Sequence, residues 1–525
     1  MVEKSRSVGH RLISGTVLQM GNMVASAIAA FFLMPFVVHH LGDRIYGFWS
    51  LSSSFIVYYG LLDLGLSTAV SQYISIAIAR KDDSECRAVF NTAFRIQLML
   101  GVAAFLATAV LVACTPWFCH NRADVSAFRE VIAILGTSAA LSFPVRVYGG
   151  VLYTQFRFDI QSWLAILGLV LRTGLVVCVI WAGHGLLALA WATLFATLPV
   201  SVLQIWYARR ESSWARIDIG KIELKRAKSL FSYSIYSFMT SIADMLRFQI
   251  DPLVISGLIG LAAVTHYRVA SIFAQYFIQI LVFSVGMLQP VFSRMHGAGD
   301  KAGLERVFFF GTKLSVGLSV FFCFALIGWG KPFLARWMGM RYEDAYLPLV
   351  VLSVSVLLDV CQKPQVDLLF ATFNHRSYAY LNTAEGLLNL AFSVVLARPL
   401  GVLGVALGTL IGAFIIRVVV QPWWVCKVTG YHYAGYMRFL NKNLLYCSAI
   451  MGAAMAVVAW GLRPSYVLLI SSAICATLLY AIGSWTLVFD EREREQFRAA
   501  LGRNYVQKLV GPAVVEVPPS PVGKL

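Results

Sequence analysis

Apolar residues run through this chain in long blocks, and the short stretches between the blocks collect the charge. The first block follows Lys4, Arg6 and Arg11 and extends from Ile13 to about Val38. That is longer than the apolar core of a signal peptide, and no small-residue cleavage site interrupts it, so it reads as an uncleaved first helix. A hydrocarbon layer ~30 Å thick takes about 20 residues of helix to cross. At that length the blocks predict fourteen spans, near 13–38, 45–78, 88–114, 130–149, 161–183, 185–207, 232–256, 262–290, 307–330, 346–370, 378–397, 402–424, 444–461 and 466–488. The predicted fold is an all-α polytopic membrane protein.

Composition confirms the choice of solvent. Of the 525 residues, 59% are hydrophobic and 13% charged, against roughly 45–50% and about 25% in soluble domains. The mean hydropathy is +0.72. A net charge of +17 would suit a nucleic-acid binder, but the basic residues sit in short loops and form no folded basic domain, so no nucleic-acid partner is expected. With the amino terminus inside, 28 Lys and Arg fall to the inner side and 8 to the outer. That asymmetry places both termini in the cytoplasm. The nine cysteines form no CxxC pair, Cys114 and Cys119 being the nearest neighbours, and no metal or cofactor motif is read.

The chain also repeats itself. At an offset of 218 residues, Gly42 falls on Gly260, Trp49 on Tyr267, Asp82 on Asp300, Val89-Phe90 on Val307-Phe308 and Arg95 on Lys313. At 216, Gly185, Leu187, Ala190, Thr193 and Leu194 fall on Gly401, Leu403, Ala406, Thr409 and Leu410. Each repeat holds six spans. An even number restores the orientation, so two six-helix lobes related by a pseudo-two-fold axis along the membrane normal are predicted. The expected divisions are 1–207 (first lobe), 208–231 (linker), 232–428 (second lobe), 429–489 (two appended spans) and 490–525 (cytoplasmic tail). The linker alternates Arg and Lys with Ile217, Ile219, Ile222 and Leu224; it reads equally as an amphipathic helix on the inner leaflet or as a solvated basic connection. Two equivalent lobes across a cleft suit alternating access.

Four stretches carry a resemblance. Leu41-Gly42-Asp43-Arg44-Ile45-Tyr46-Gly47-Phe48-Trp49, then Tyr59-Gly60-Leu61-Leu62-Asp63-Leu64-Gly65-Leu66 and Ser71-Gln72-Tyr73-Ile74-Ser75, resemble the opening of the polysaccharide-transport branch of the multidrug/oligosaccharidyl-lipid/polysaccharide (MOP) superfamily. Val151 to Phe158, with Gln155 and Arg157, resembles the same branch. The resemblance implies a bacterial inner-membrane flippase that moves an undecaprenyl-pyrophosphate-linked oligosaccharide to the periplasmic leaflet, for O-antigen, capsule or exopolysaccharide. It implies membrane lipids, a polysaccharide polymerase and a chain-length regulator as partners, and no covalent catalysis.

A pyrophosphate needs cations, and ionisable residues inside the spans are costly enough to mark function. Asp244, Arg247 and Asp251 lie on one face of one span, and Asp359, Lys363 and Asp367 recur at i+4 steps on another; each trio reads as self-neutralised or as a site. Arg95, Arg172, Lys313 and Arg417 have no acid within four positions. Arg95 and Lys313 are repeat partners at equal depth, where snorkelling is the alternative. The expected substrate-binding set is therefore Arg95, Arg172, Lys313, Arg247, Lys363 and Arg417. Arg268, near the outer end of its span, is left open. For the sugar, Tyr58, Tyr59, Gln72, Gln275, Tyr276 and Gln279 are candidates. Asp63 and Glu385 lack a cation nearby on their own helices and are candidates for ion coupling. A multidrug exporter or a lipid II flippase of the same fold stays open. A polymerase or ligase would need a large outer catalytic loop, and no outer loop here exceeds about 15 residues. A major-facilitator carrier would need Gly-x-x-x-Asp-Arg where Arg80 to Arg87 stands.

Overall fold

The computed structural model describes residues 2–63, 66–118, 122–217, 238, 241–247, 249–285, 288–372, 374–459, 465–491 and 493–495. Most of the expected linker, from 218 onward, lies outside the described residues, as do the side chains of Lys4, Arg6 and Arg11 and the tail beyond Glu495. The described residues are helical or form short connections. The chain begins with α1 (Val2–Tyr59), α2 (Leu66–Ala79), α3 (Asp83–Phe118), α4 (Arg122–Thr154), α5 (Phe158–Trp181) and α6 (Leu186–Glu211). After a helical stretch at 241–247 come α7 (Asp251–Leu258), α8 (Leu261–Val285), α9 (Leu288–Gly297), α10 (Lys301–Trp337), α11 (Tyr346–Cys361), α12 (Lys363–Ala371) and α13 (His375–Ala413). The last are α14 (Gln421–Thr429), α15 (Tyr433–Val457) and α16 (Tyr466–Leu487).

Among the described residues, nine helices are long and apolar enough to cross a membrane. Some of these runs hold more than one pass. At ~1.5 Å per residue the 58 residues of α1 would stretch ~87 Å, far beyond a bilayer. Gly42 breaks the helix at φ 79°, ψ 163°, a conformation that a Cβ disfavours. Gly401, at φ 58°, ψ −139°, does the same inside α13. There the chain folds back on itself: Ser393 Oγ donates to the Val405 carbonyl at 3.1 Å and Thr409 Oγ1 reaches Asn389 Oδ1 at 3.1 Å.

Three stretches expected to be continuous are interrupted mid-span. A 3₁₀ turn at Gly60–Asp63 separates α1 from α2. Gln362 separates α11 from α12, where Pro364 sits in the first turn and lacks the N–H a continuous helix needs. A π-helical turn, Phe414–Val420, joins α13 to α14 and carries the buried Arg417. Such turns are seldom kept without a local purpose.

The helices pack in two groups. In the first, α3 lies on α4, α4 on α6, and α5 on α6 and α1. In the second, α10 lies on α11 and α15, and α11 on α8 and α13. The groups meet along α1, against α7 and α8. Contact is tightest near the Gly42 turn. A Cβ on Gly47 would sit 2.0 Å from the Leu261 carbonyl oxygen. Trp337 Nε1 donates to the Phe31 carbonyl at 2.8 Å, and the Phe31 and Trp337 rings stack at 5.5 Å. The Tyr58 hydroxyl donates to the Gln249 carbonyl at 2.5 Å. Positions 218 apart do the same local work: Asp82 Oδ1 accepts from Glu85 N at 2.9 Å to open α3, and Asp300 Oδ1 accepts from Gly303 N at 2.8 Å to open α10.

Candidate functional site

The second group of helices holds a closed ring of four charges. Arg247 places Nη2 2.9 Å from Asp359 Oδ1 and Nε 2.7 Å from Glu385 Oε1. Arg417, with no exposed surface, places Nε 2.7 Å from Glu385 Oε2 and 3.2 Å from Asp359 Oδ1. Each carboxylate is shared by two guanidiniums, and the ring is neutral as a whole. Buried charges survive only when paired and hydrogen-bonded, and Arg417 makes two further hydrogen bonds: Nη1 donates to Gln421 Oε1 at 2.6 Å and Nη2 to Asn382 Oδ1 at 3.1 Å. Asn382 in turn donates to Asp244 at 2.8 Å.

This ring corrects two expectations. Glu385 does not stand without a cation, and Arg417 does not stand without an acid. Their partners come from other helices, which spacing along one helix cannot reveal. Arg247 likewise reaches across to Asp359 and Glu385, so the trio on its own helix does not account for it. Lys363 pairs with Asp367 on its own α12, as the local alternative predicted.

One turn beyond Arg247, Asp251 is buried at 3% exposure. It accepts from the Tyr267 hydroxyl, from Thr409 Oγ1 at 3.3 Å and from Asn389 Nδ2 at 3.4 Å. No cation is paired with it among the described residues. A cavity of about 50 Å³ opens between Arg247, Asp251, Tyr267, Gln275, Ser355 and Thr409. Among the described residues, no group of three or more His, Cys, Asp or Glu is placed to hold a metal ion.

In the first group, Asp63 ends the 3₁₀ turn and caps α2, accepting from Ser67 N at 3.2 Å and Ser67 Oγ at 2.9 Å. Gln97 Nε2 of α3 also donates to it. Arg146 of α4 approaches at 3.8 Å, with its guanidinium 4.3 Å above the Phe143 ring. Arg146 was missed in the sequence because the predicted span 130–149 put it at the inner boundary, whereas α4 continues to Thr154. Arg172 is exposed and has no ion-pair partner among the described residues. It projects ~200° around α5 from Val170, which forms an exposed apolar face with Trp163 and Trp181.

The expected pair of open, matched cations is not found. Lys313 is buried, and its Nζ lies 2.7 Å from Glu493 Oε2 and 3.8 Å from Asp490, both beyond the end of α16. The acids that neutralise it come from the tail, 180 residues away. Arg95, its repeat counterpart on α3, is half-buried and engaged as well. Of the sugar candidates, Tyr58 is spent on Gln249 and Tyr59 bonds Thr108 at 2.7 Å. Tyr276 reaches the Ser26 carbonyl at 3.4 Å, Gln275 lines the small cavity, and Gln72 and Gln279 are exposed. The stretch around Arg157 is a clamp on the turn from α4 to α5. Arg157 pairs with Asp159 at 3.1 Å and with Glu211, and these carboxylates, Asp159 foremost, hold its pKa above the ordinary value.

Broken spans and two helix groups meeting along the first helix give a multi-span helical fold that is shared with solved structures of MOP-superfamily transporters. The lipid II flippase MurJ in an inward closed conformation superposes with a TM-score of 0.69 at 14% identity, covering 90% of this chain and 98% of that one. A multidrug-resistance MATE transporter in an inward-facing conformation gives 0.65 at 16% identity, over 80% of this chain and 98% of that one. A family profile described as polysaccharide biosynthesis protein matches residues 41–315, and the chain belongs to that family. Two relatives from Bacillus subtilis (strain 168) are similar along most of their length. The uncharacterized membrane protein EpsK is 22% identical over 90% of this chain and 95% of its own; the teichuronic acid biosynthesis protein TuaB is 21% identical over 77% and 79%.

Proposed function

We propose that this protein flips an undecaprenyl-pyrophosphate-linked oligosaccharide from the cytoplasmic to the periplasmic leaflet by alternating access. In this reading the chain spans the membrane fourteen times with both termini in the cytoplasm. Residues 1–207 and 232–428 form two six-helix lobes. The equivalent caps at Asp82 and Asp300 support the repeat, and the reversal at Gly401 supports counting the run Arg376–Thr429 as two passes. The family supports a polysaccharide precursor as cargo.

The observation that carries the site is the contrast between paired and open cations. Arg247, Arg417, Lys363 and Lys313 are matched to carboxylates at 3.2 Å or less, while Arg172 is exposed in the first lobe and Arg146 is held only at 3.8 Å. A dianion leaving the headgroup layer loses hydration that only such fixed cations replace. Arg172 and Arg146 therefore meet the pyrophosphate. Asp251, which has no opposing cation among the described residues, is the carboxylate that binds and releases the coupling ion.

Reconstitution in vesicles tests this. Fluorescent lipid-linked oligosaccharide should become accessible to an impermeant quencher on the far leaflet, and Arg172→Ala should slow this by roughly tenfold to 100-fold. Transport of lipid II or of a cationic dye in place of the oligosaccharide would favour the other readings of this fold and overturn ours.

A further inference from the structure

A cluster at the Gly42 turn shares no residue with the cargo site proposed above. Asp43 is buried at 5% exposure directly after the left-handed glycine. Its carboxylate is gripped by Arg341 and by the Tyr342 hydroxyl, both from the turn Met340–Ala345. Its carbonyl accepts from Thr265 Oγ1 at 2.7 Å. His266, next on α8, stands between two acids: Nδ1 lies 2.8 Å from Asp344 Oδ1, and Nε2 lies 3.9 Å from Asp43 Oδ2. Asp43 belongs to the first lobe and all its partners to the second. The cluster therefore closes the seam between the lobes at this end.

The strength of that closure depends on one proton. In a neutral imidazole, the hydrogen bond to Asp344 places the hydrogen on Nδ1 and leaves a lone pair on Nε2 facing Asp43. When the ring is protonated, Nε2 becomes a donor aimed at the same carboxylate. Arg341 meets the carboxylate of Asp43 as well. The other ionisable groups nearby are occupied or set aside. Lys331 of α10 pairs with Glu343 at 3.5 Å. Tyr267 is turned to Asp251 of α7, and Tyr346 of α11 donates to the Ile327 carbonyl at 2.7 Å. Tyr342 lays its ring 4.9 Å from the imidazole, Arg268 lies two residues along α8, and Arg44 of α1 has a contact of its own.

We propose that His266 is a proton-operated latch on the lobe seam: protonated, it ties Asp43 to Asp344 and holds the Gly42 end shut; neutral, it lets that end open. The added stability of the shut state is full at low pH and is lost as pH rises through the range in which histidine gives up its proton. This rests on the alternating movement of lobes proposed above, and not on the identity of the cargo.

The test uses the full chain in nanodiscs, with spin labels introduced as encoded amino acids at His184 and Met340. Both are exposed, on turns of the first and second lobes. Distances between them are measured at about pH 5.5 and about pH 8, which bracket ordinary imidazole titration. The separated population should rise roughly fivefold or more from the acid to the alkaline sample. His266→Gln should abolish the difference. Asp344→Asn, at an exposed side chain, should shift the midpoint to lower pH. Identical distributions at both pH values, wild-type pH dependence in His266→Gln, or an unmoved midpoint in Asp344→Asn would each overturn the latch. If His266→Gln does not assemble, the Asp344→Asn midpoint decides. Movement on adding lipid-linked oligosaccharide without a pH response sinks the latch and spares the transport reading; a pH response without a cargo response does the reverse.

Discussion

Arg172 and Lys313 both sit within membrane helices, and they differ in company. The lysine is spent on Glu493, so its loss belongs to stability; the arginine is open, so its loss belongs to cargo. Hydrogen bonds to charged groups are worth about 1.5–3 kcal/mol. Arg172→Ala should therefore lower transport by roughly tenfold to 100-fold at unchanged abundance, with Arg172→Lys keeping part of it because charge survives and the guanidinium fork does not. Glu493→Gln should lower the thermal midpoint in detergent while leaving the transport KM unchanged. A raised KM in Glu493→Gln, or normal transport by Arg172→Ala, would reverse these assignments. The sequence could mark all these residues as costly, because an ion inside an apolar run is visible without a structure. It could not tell open from paired, since the acids facing Arg417 and Lys313 lie on other helices or in the tail.

At the scale of the element, a few glycines and one proline mark where helices break. Gly42 and Gly401 turn the chain, while Gly60–Asp63 and Pro364 open spans in mid-membrane and place Asp63 and Gln362 where a continuous helix would have hidden its polar groups. Most predicted spans have a helical counterpart, because a 20-residue apolar block has few other options in lipid. The interior breaks were not legible, since hydropathy is nearly blind to a single turn of altered geometry. Gly47→Ala tests the tightest contact. With the Leu261 carbonyl 2.0 Å from the added carbon, the Gly42 end cannot close as it does here. The same label pair should report a larger separated population at every pH, and a wild-type distribution would show that the seam yields.

For the whole molecule, the two-lobe architecture proposed above would make orientation a single decision. Cysteines at Arg216 and Arg336 should react with impermeant reagents from opposite sides of the membrane; labelling from one side would undo the fourteen-pass reading. Deleting the gene should trap lipid-linked repeat units in the inner leaflet, and assembled units outside, with no second flippase present, would refute the assigned cargo. The ring of Arg247, Asp359, Glu385 and Arg417 carries a consequence for descent. Removing one member strands a buried charge at about 3–5 kcal/mol, whereas replacing Arg417 and Glu385 together by methionine removes one charge of each sign. Double-mutant cycles should show strong positive epistasis between those two positions. Drift at any one of the four sites then meets a fitness valley, and lineages should exchange the set by paired replacements or inherit it whole.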